Sequence, residues 1–432
     1  MLGLFMVLPV LSLHAVEYRY STPAMIGLAL GAYGFTQAFL QIPFGLLSDR
    51  IGRKPVIIGG LCLFVVGSVV AAMSETIYGV IAGRFLQGSG AIASTLMALL
   101  SDLTSEQHRT KAMASVGASI GVSFAIALVL GPVISSHGGM SSIFWATALF
   151  AFAGILAAVF IVPTPKKSRA QPDAIAVPSL VVKSLQNPDL MRLNLSIFML
   201  HFILMSSFVV VPVILRDHLG IAANQHWKIY LMILGCSFLA MLPLMIVAEK
   251  KRKIKPVFLL AIAGLFLSMI MQVFAMDYRQ LMIAALFLFF LAFNLLEALL
   301  PSLVSKMAFS GSKGTAMGLY SSCQFLGAFL GGVSGGWLHQ HYSPALVFTA
   351  CSLMITLWFA FAWSLRPPRY FVNLVMHLEQ PIDDDGRLYQ QLLDVEGVVD
   401  AHIDAENRKI FLKVEDGCLD IPSLRLLGVQ PA

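Results

Sequence analysis

Long apolar runs, separated by short polar stretches, occupy most of the first 365 residues of this chain. Most runs are about 20 residues long, which is the length that a helix needs to cross about 30 Å of hydrocarbon. The pattern therefore predicts twelve membrane-spanning helices, which we number spans 1–12. Their predicted limits are 1–15, 23–44, 55–73, 77–100, 112–134, 142–162, 191–214, 227–247, 256–275, 280–303, 315–338 and 345–365.

The first run is shorter than the others. Met1–His14 is apolar but too short for an ordinary span, and it lacks the charged start and the small-residue cleavage site of a signal peptide. We therefore interpret Met1 as a position within span 1, so that an upstream extension completes the helix.

Basic residues are distributed unequally between alternate connections. The connections that hold most of them define what we call the basic face of the membrane, and the others define the neutral face. The basic set contains Arg50, Arg53, Lys54, Arg109, Lys111, Lys166, Lys167, Arg169, Lys183, Arg192, Lys250, Lys251, Arg252, Lys253, Lys255, Lys306, Lys313, Arg366 and Arg369, and the neutral set contains Arg19, Arg216, Lys228 and Arg279. Basic connections stay in the cytoplasm during membrane insertion. The sequence thus predicts a multi-pass protein of the bacterial inner membrane with both termini cytoplasmic.

The composition agrees with this class of protein. Hydrophobic residues make up 58% of the 432 residues and charged residues only 12%, and the mean hydropathy is +0.81. The pI near 9.0 follows from the basic connections, so we expect no nucleic-acid partner. The five cysteines, Cys62, Cys236, Cys323, Cys351 and Cys418, lie at neither metal nor redox spacing, so we predict no metal site and no disulfide framework.

A weak internal repeat with an offset of 200 residues relates the two halves of the membrane region. Asp49 and Arg53, after span 2, correspond to Glu249 and Lys253, after span 8, and an Ala-Leu-Leu triplet ends both span 4 and span 10. Two related six-helix halves are a common architecture of secondary transporters. The predicted domains are a first half at 1–162, a polar cytoplasmic linker at 163–190, a second half at 191–366 and a soluble tail at 370–432.

The connection after span 2 carries a recognisable signature. Residues 45–54 read GLLSDRIGRK, in which two glycines permit a tight turn and close helix approach. This stretch resembles the G-x-L-x-D-r-x-G-r-k signature of the major facilitator superfamily at every fixed position. A second resemblance lies in span 4, where Arg84, Gln87, Gly88, Gly90 and Ala91 fit the R-x-x-Q-G-x-G-A pattern of proton-coupled members.

The resemblance covers residues 1–365, and drug–proton antiporters are the nearest subgroup. It implies an alternating-access transporter whose spans 1, 4, 7 and 10 line a central cavity. One antiporter pattern is incomplete, because Gly131 and Pro132 in span 5 are followed by Val-Ile-Ser-Ser and not by a sequence ending in Gly-Gly. This departure weakens the inference of antiport but not that of transport.

Several charges of the signature are candidates for a gate. The resemblance implies that Asp49 faces the start of span 11, near Gly314–Thr315, where a helix N-terminus favours a carboxylate, and that this contact locks the outward-open state. Arg53 is placed to pair with Asp102 at the inner end of span 4. The predicted gating motif comprises Gly45, Asp49, Arg50, Gly52, Arg53 and Asp102, although for Arg50 and for Lys54 we favour a role in topology alone.

Ionisable groups within spans are costly in a bilayer, so each is a candidate for the substrate or proton path. Arg84 in span 4 has either a role in the substrate or proton path or a structural role, in which it forms hydrogen bonds to helix ends. Glu297 in span 10 lies one turn from Asn294 and is either a proton carrier or a rim residue. A lone histidine such as His201, in the middle of span 7, is more often hydrogen-bonded to a neighbouring helix. The predicted path comprises Arg84, Gln87, His201, Asn294 and Glu297, and Gln37, Gln41 and Gln324 are weaker candidates for polar lining.

The composition changes at Tyr370, where an acidic tail begins. Its patterning predicts strands at 371–379, 399–404 and 409–415, a helix from Asp383–Asp385 to about Glu396, and a short helix after Pro422. This β-α-β-β-α order begins a ferredoxin-like fold, for which 426–432 is barely long enough to supply the fourth strand. Metal-carrier domains of this kind need a C-x-x-C pair, and the tail has only Cys418. We therefore predict a regulatory or self-associating module.

These patterns together predict an all-α polytopic membrane protein with a twelve-helix major facilitator fold and a small α+β ferredoxin-like cytoplasmic domain. The predicted function is proton-coupled efflux of a small amphiphilic or drug-like solute. A proton-coupled importer and a non-transporting membrane sensor are the alternatives. The sequence contains neither a nucleotide-binding P-loop nor the context of a catalytic triad, so it gives no indication of an enzyme. The expected partners are the solute, protons and the lipid bilayer; we expect a monomer, with the proton gradient as its energy source and no cofactor.

Overall fold

The computed structural model describes residues 2–104, 106–164, 184–307, 313–366, 371–378, 385–404, 409–415, 420–426 and 429–431. The chain forms two compact units, Met1–Arg366 and Pro367–Ala432, each of which is considered separately. The predicted linker is described only at its two ends.

Helices of the first unit coincide with the predicted spans. Those of the first half are Leu2–Met6 and Leu8–His14 (span 1), Pro23–Ile51 (span 2), Arg53–Ala72 (span 3), Ile77–Ser89 and Ala93–Leu103 (span 4) and Glu106–Phe160 (spans 5 and 6). Those of the second half are Pro188–Asp217 (span 7), His226–Lys250 (span 8), Ile254–Phe274 (span 9), Arg279–Met307 (span 10), Lys313–His341 (span 11) and Pro344–Trp363 (span 12). Within the described residues, eight helices are long and apolar enough to cross a membrane.

Short polar motifs begin several of these helices. Thr22 precedes Pro23, and its Oγ1 accepts a hydrogen bond of 3.2 Å from the backbone N–H of Met25. Ser343 precedes Pro344 in the same way at the start of span 12. A hydroxyl at the cap satisfies a free N–H of the first turn, and proline at the first position has no N–H to lose.

Glycines account for two differences from the predicted spans. Span 4 is not continuous, since its first helix ends at Ser89 and the second begins at Ala93; at the break, a Cβ on Gly90 would lie 2.5 Å from the carbonyl oxygen of Gly60 in span 3. Spans 5 and 6 are two helices that follow one another directly. The chain leaves helical geometry between them at Gly138 and at Gly139, whose φ of 64° is readily adopted by glycine.

Span 11 packs against both halves of the first unit through glycines. We call this contact the glycine seam; its members are Gly27, Gly31 and Gly34 of span 2 and Gly327, Gly331, Gly332, Gly335 and Gly336 of span 11. A Cβ on Gly31 would lie 2.6 Å from the carbonyl oxygen of Phe329, and one on Gly335 would lie 2.8 Å from Cα of Ser206 in span 7. Small residues let helices approach to backbone contact, which replaces the hydrophobic driving force that is missing in lipid.

Among the described residues, polar contacts between the two halves lie towards the neutral face. Three hydrogen bonds cross between the halves there: Ser12 Oγ donates to the carbonyl of Phe208 (2.8 Å), Arg216 Nη1 to the carbonyl of Leu13 (3.2 Å) and the N–H of Ala24 to Gln340 Oε1 (3.1 Å). Ring contacts of Tyr33 with Phe325 (5.9 Å) and Phe35 with Phe329 (5.0 Å) extend this closure into the spans. The described conformation is therefore closed at the neutral face.

The second unit contains a four-stranded antiparallel sheet. Its strands are β1 (Phe371–Leu378), β2 (Val398–Asp404), β3 (Lys409–Glu415) and β4 (Val429–Pro431), in the order β2-β3-β1-β4, and its helices are Asp385–Leu393 and Ile421–Leu426. Buried residues from strands and helices, including Met376, Leu392, Ile410, Leu412 and Leu424, form its core. The second helix begins at Ile421, one residue before the predicted Pro422. The predicted helix start at Asp383 and the residues between the second and third predicted strands lie outside the described residues.

We predict that Gly332→Ala opens the neutral face, because the new Cβ would meet the backbone of Gly27, which cannot move aside as a side chain does. Overpacking of this kind costs about 1–3 kcal/mol. The measurement is the distance between spin labels at Tyr78 and Tyr342, both exposed at this face, after replacement of the native cysteines. Gly318→Ala on the same helix is the matched control, since its Cβ would meet nothing within 4 Å. Equal distance distributions in the two variants would contradict the role of the seam.

We also predict that removal of residues 370–432 leaves a folded and transport-competent membrane unit, because each unit has its own buried core. Size-exclusion profile and melting temperature in detergent are expected to stay unchanged. Loss of membrane assembly in the truncated chain would instead make the tail a structural part of the transporter.

Candidate functional site

A charged cluster lies where spans 2, 3 and 4 meet at the basic face. Arg53 is 9% exposed, and it donates from Nε to Asp102 Oδ2 (3.0 Å) and from Nη1 to Ser48 Oγ (2.6 Å). It also forms an ion pair with Asp49. The predicted contact between Arg53 and Asp102 is thus present, and one cation joins two carboxylates of the first half.

The turn between spans 2 and 3 brings these charges together. Span 2 ends at Ile51 and span 3 begins at Arg53, so the reversal takes place at Gly52, with φ of 99° and ψ of 155°. A side chain is strained at this φ, which explains why glycine stands in the signature at this point. Gly45 lies close to span 4, since its Cβ would be 3.3 Å from Ser94 Oγ.

The other basic residues of the signature face elsewhere. Arg50 is exposed, whereas Lys54 Nζ donates to the carbonyl of Val162 at the end of span 6 (2.7 Å). For the implied contact of Asp49 with Gly314–Thr315, residues 308–312 and the side chains at 313 and 314 lie outside the described residues. That contact stays a prediction.

The second half carries a related cluster in which one cation meets one carboxylate. Glu249 accepts hydrogen bonds from Lys306 Nζ (2.7 Å) and from Ser302 Oγ (3.1 Å), and Ser302 is the residue 200 positions after Asp102. The repeat suggested Lys253 as the counterpart of Arg53, but Lys306 of span 10 pairs with Glu249. In this half, one carboxylate is held by a lysine and a hydroxyl.

Arg84 is buried within the first half, with 1% of its surface exposed. It donates from Nε to the carbonyl of Ala29 (3.2 Å), from Nη2 to that of Leu30 (3.3 Å) and from Nη1 to Gln87 Oε1 (2.9 Å). Its guanidinium carbon lies 5.4 Å from the centre of the Tyr33 ring. Among the described residues no carboxylate pairs with it. In this conformation the geometry favours the structural alternative, a bond from span 4 to the backbone of span 2.

Gln87 extends this arrangement to span 3, since its Nε2 donates to Ser68 Oγ (2.8 Å). Gln37 and Gln41 are both 2% exposed, and Nε2 of the first donates to Oε1 of the second (2.8 Å). These amides therefore satisfy one another or link helices, as interhelical polar residues do in membranes.

The second half contains a cluster that joins spans 7, 10 and 11. Gln324 Nε2 lies 3.3 Å from Glu297 Oε1 and 2.8 Å from His201 Nε2, and the carboxylate of Glu297 approaches the imidazole at 3.8 Å. We call Glu297, His201, Gln324 and the adjacent Tyr320 the acid cluster. Tyr320 is 3% exposed, and its hydroxyl has no hydrogen-bond partner within the described residues.

The acid cluster lies deep in the bilayer region. Glu297, His201 and Gln324 are between 10 and 13 residues from the ends of their helices at the basic face, or about 15–20 Å at a rise of about 1.5 Å per residue. This depth favours the interior position of Glu297 over the alternative at the rim. About a third of its side-chain surface, 34%, is accessible, and its Oε2 is buried and has no hydrogen-bond partner among the described residues.

Asn294 does not join the acid cluster, contrary to its predicted place on the face of Glu297. Its Nδ2 donates to Ser237 Oγ of span 8 (3.3 Å). Side chains three residues apart differ in direction by about 60° around a helix, which is enough to reach different neighbours. The sequence patterns did not predict a role for Tyr320, and they indicated Gln324 only as a weaker candidate for polar lining. The available signal was that they lie four residues apart on one face of span 11.

Comparison with known proteins agrees with this architecture. The family profile described as Major Facilitator Superfamily matches residues 1–332. The inner membrane transport protein YajR of Escherichia coli (strain K12) is 45% identical over 415 residues, which cover 96% of this chain and 91% of that protein. An uncharacterised transporter of Buchnera aphidicola subsp. Acyrthosiphon pisum (strain APS) is 37% identical over 77% of this chain and 85% of its own.

Two further similarities are more distant. The multidrug resistance protein MdtL of Escherichia coli O9:H4 (strain HS) is 31% identical over 50% of this chain and 56% of its own. The crystal structure of the human organic anion transporter MFSD10 (TETRAN) superposes with a TM-score of 0.60, covering 84% of this chain and 95% of that one, at 20% identity. At 20% identity, the similarity to MFSD10 shows the fold alone.

The predicted resemblance to the major facilitator superfamily is confirmed, and the similarity to YajR supports a transporter of that type. These relatives and the fold are those of transporters and not of enzymes. Apolar helices and the similarity to an inner membrane transport protein indicate a multi-pass protein of the inner membrane. This chain belongs to the major facilitator superfamily.

Proposed function

We propose that this chain exports a small amphiphilic, drug-like solute by alternating access, driven by protons that pass through the second half. The observation that carries the proposal is the acid cluster. In it, Glu297 lies deep in the bilayer region, and one of its carboxylate oxygens has no hydrogen-bond partner among the described residues. A carboxylate in this position is costly, so such residues commonly mark ion and proton pathways. A proton or a donor group of the solute would satisfy Oε2.

The surroundings of the acid cluster support an amphiphilic solute. The ring of Phe293 lies 5.9 Å from that of His201 and 6.1 Å from those of Phe124 and Phe289. Aromatic walls with a few polar groups are typical of sites that bind largely apolar molecules. The partial similarity to MdtL, a multidrug resistance protein, supports efflux of such compounds.

The gating motif provides the second element of alternating access. In the described conformation the ion pairs of Arg53 and of Glu249 join residues of the same half, while the hydrogen bonds between the halves given above lie towards the neutral face. In our proposal the basic face is cytoplasmic, so this conformation is inward-facing. Rocking of the two halves then transfers the closing contacts to the basic face, where Asp49 meets span 11.

The remaining architecture follows the same proposal. Twelve spans place both termini in the cytoplasm, the chain acts as a monomer, and no cofactor is needed. The strand order β2-β3-β1-β4 with two intervening helices supports a ferredoxin-like tail domain at 370–432. Its role is regulatory.

We expect Asp49→Asn to shift the equilibrium towards the inward-open state, because the outward-open state loses the carboxylate that faces a helix N-terminus, worth about 1 kcal/mol. The inward-facing state keeps the ion pair of Arg53 with Asp102. The measurement is the distance between spin labels at Leu103 and Ser305, which lie at the basic-face ends of spans 4 and 10. The matched control is Arg50→Gln, since Arg50 is exposed. Unchanged distances in Asp49→Asn would reduce Asp49 to a topology marker.

We expect Glu297→Gln to abolish transport driven by a pH gradient while solute binding stays measurable. The amide keeps the shape of the side chain and an oxygen acceptor for Gln324, but it cannot ionise. In proteoliposomes, uptake of the dye ethidium under a pH gradient should fall to the level of protein-free vesicles, and counterflow at equal pH should persist.

Glu17→Gln is the control for this change, since the side chain of Glu17 is 72% exposed at the neutral face. It should transport at the rate of the unmodified protein. A Glu297→Gln protein that still responds fully to the gradient would remove Glu297 from the mechanism.

A further inference from the structure

A small cavity lies inside the second half, between spans 7, 8, 9 and 10. Its volume, about 10 Å³ for the centre of a water molecule, is enough to hold one such molecule. Every residue that lines it is buried, with at most 4% of its surface exposed. The cavity is therefore an interior site of this half and not a groove on its surface.

Three helices each contribute one polar atom to the lining of this cavity. The atoms are Ser207 Oγ of span 7, Tyr230 Oη of span 8 and Gln272 Oε1 of span 9. Each is buried and has no hydrogen-bond partner among the described residues. Buried polar groups without a partner are rare in native proteins, because burial removes their hydrogen bonds to solvent. Three such atoms around one cavity indicate a shared partner inside it.

The orientation of the Gln272 amide follows from its other hydrogen bond. Its Nε2 donates to Ser268 Oγ (3.1 Å), which in turn donates to the carbonyl of Ala285 in span 10 (2.8 Å). Because the only hydrogen of the Ser268 hydroxyl is used on that carbonyl, this hydroxyl can only accept from the amide. The amide nitrogen therefore faces Ser268, and the amide oxygen is left for the cavity.

Donors and acceptors around the cavity select the chemistry of its occupant. The hydroxyls of Ser207 and Tyr230 each carry a hydrogen that needs an acceptor, whereas the amide oxygen of Gln272 needs a donor. A metal cation accepts no hydrogen bond, so it would leave both hydroxyl hydrogens without a partner. A water molecule accepts two hydrogen bonds and donates two, and it also has the size of the cavity.

We propose that one structural water molecule occupies this cavity and joins spans 7, 8 and 9. It accepts hydrogen bonds from the hydroxyls of Ser207 and Tyr230 and donates one to Oε1 of Gln272. All three side chains belong to the second half. The inference is therefore independent of the proposed function, since it requires neither proton coupling nor a particular direction of transport.

The same cavity is also lined by aromatic rings that lead to the acid cluster. Phe208, Phe289 and Phe290 contact it, and the ring centre of Phe290 lies 6.4 Å from that of Phe208 and 5.3 Å from that of Phe289. Phe289 stacks on Phe293 at 6.1 Å, and Phe293 lies 5.9 Å from the ring of His201. The water thus fixes the helices that carry the aromatic wall of the candidate solute site.

The direct test is a structure of the unmodified full-length protein at a resolution that shows ordered waters. We expect one density peak at about 2.5–3.0 Å from each of Ser207 Oγ, Tyr230 Oη and Gln272 Oε1. The peak should persist when sodium and potassium salts are replaced by choline chloride. An empty cavity overturns the inference, and so does a peak that is lost on this exchange, because its source would be a bound cation.

A second test uses the sign of a stability change. Tyr230→Phe removes one hydroxyl and keeps the ring, so with the water in place it breaks a hydrogen bond. We expect the melting temperature in detergent to fall by about 2–4 °C. Tyr278→Phe is the matched control and should leave the melting temperature unchanged, since Tyr278 is 67% exposed. An unchanged or higher melting temperature in Tyr230→Phe would mean that its hydroxyl has no partner, which contradicts the proposal.

A double variant tests whether the two hydroxyls share one partner. Ser207→Ala should also lower the melting temperature, and the losses in Ser207→Ala and Tyr230→Phe should not add when the two changes are combined, because both act through the same molecule. Additive losses would overturn the shared water. Where a variant does not assemble, the density in the unmodified protein decides the question.

Discussion

Close backbone contact along the glycine seam is the constraint on which the rest of the membrane unit depends. Span 11 touches span 2 on one side and span 7 on the other, and a Cβ at Gly31, Gly332 or Gly335 would meet backbone atoms of a neighbour. In lipid, helices associate mainly through such packing. Because span 11 also carries Gln324, Phe325 and Tyr320, the seam determines which side chains of the two halves can meet in the interior.

Within that frame, the two halves hold their interior charges in different ways. Arg84 of the first half is enclosed by backbone carbonyls, an amide and an aromatic ring, so its charge is stabilised without a carboxylate among the described residues. Glu297 of the second half has an accessible side chain and one oxygen without a hydrogen-bond partner among the described residues. In the function we propose, the two halves therefore perform different tasks: the first provides a rigid support, and the second provides the group that exchanges its partner.

Local features of the sequence predict much of this structure, because their physical causes are local. Span limits follow from the thickness of a bilayer, and the contact of Arg53 with Asp102 follows from a glycine turn. The acid cluster depends instead on how spans 7, 10 and 11 are rotated about their axes, which hydropathy does not report; hence Asn294 was placed with Glu297 and Tyr320 was missed. One signal was available, since Gly327, Gly331 and Gly335 recur every fourth residue and mark the packed face of span 11.

The composition of the seam also has a consequence for the surroundings in which the protein works. Contacts between glycine and backbone carry no net charge, and at the neutral face the ion pair of Arg216 with Asp217 joins adjacent residues of one helix end and not the two halves. Closure through the glycine seam is therefore insensitive to ionic strength, which weakens exposed ion pairs but not dispersion contacts. The seam therefore closes the neutral face equally well in dilute and in saline surroundings.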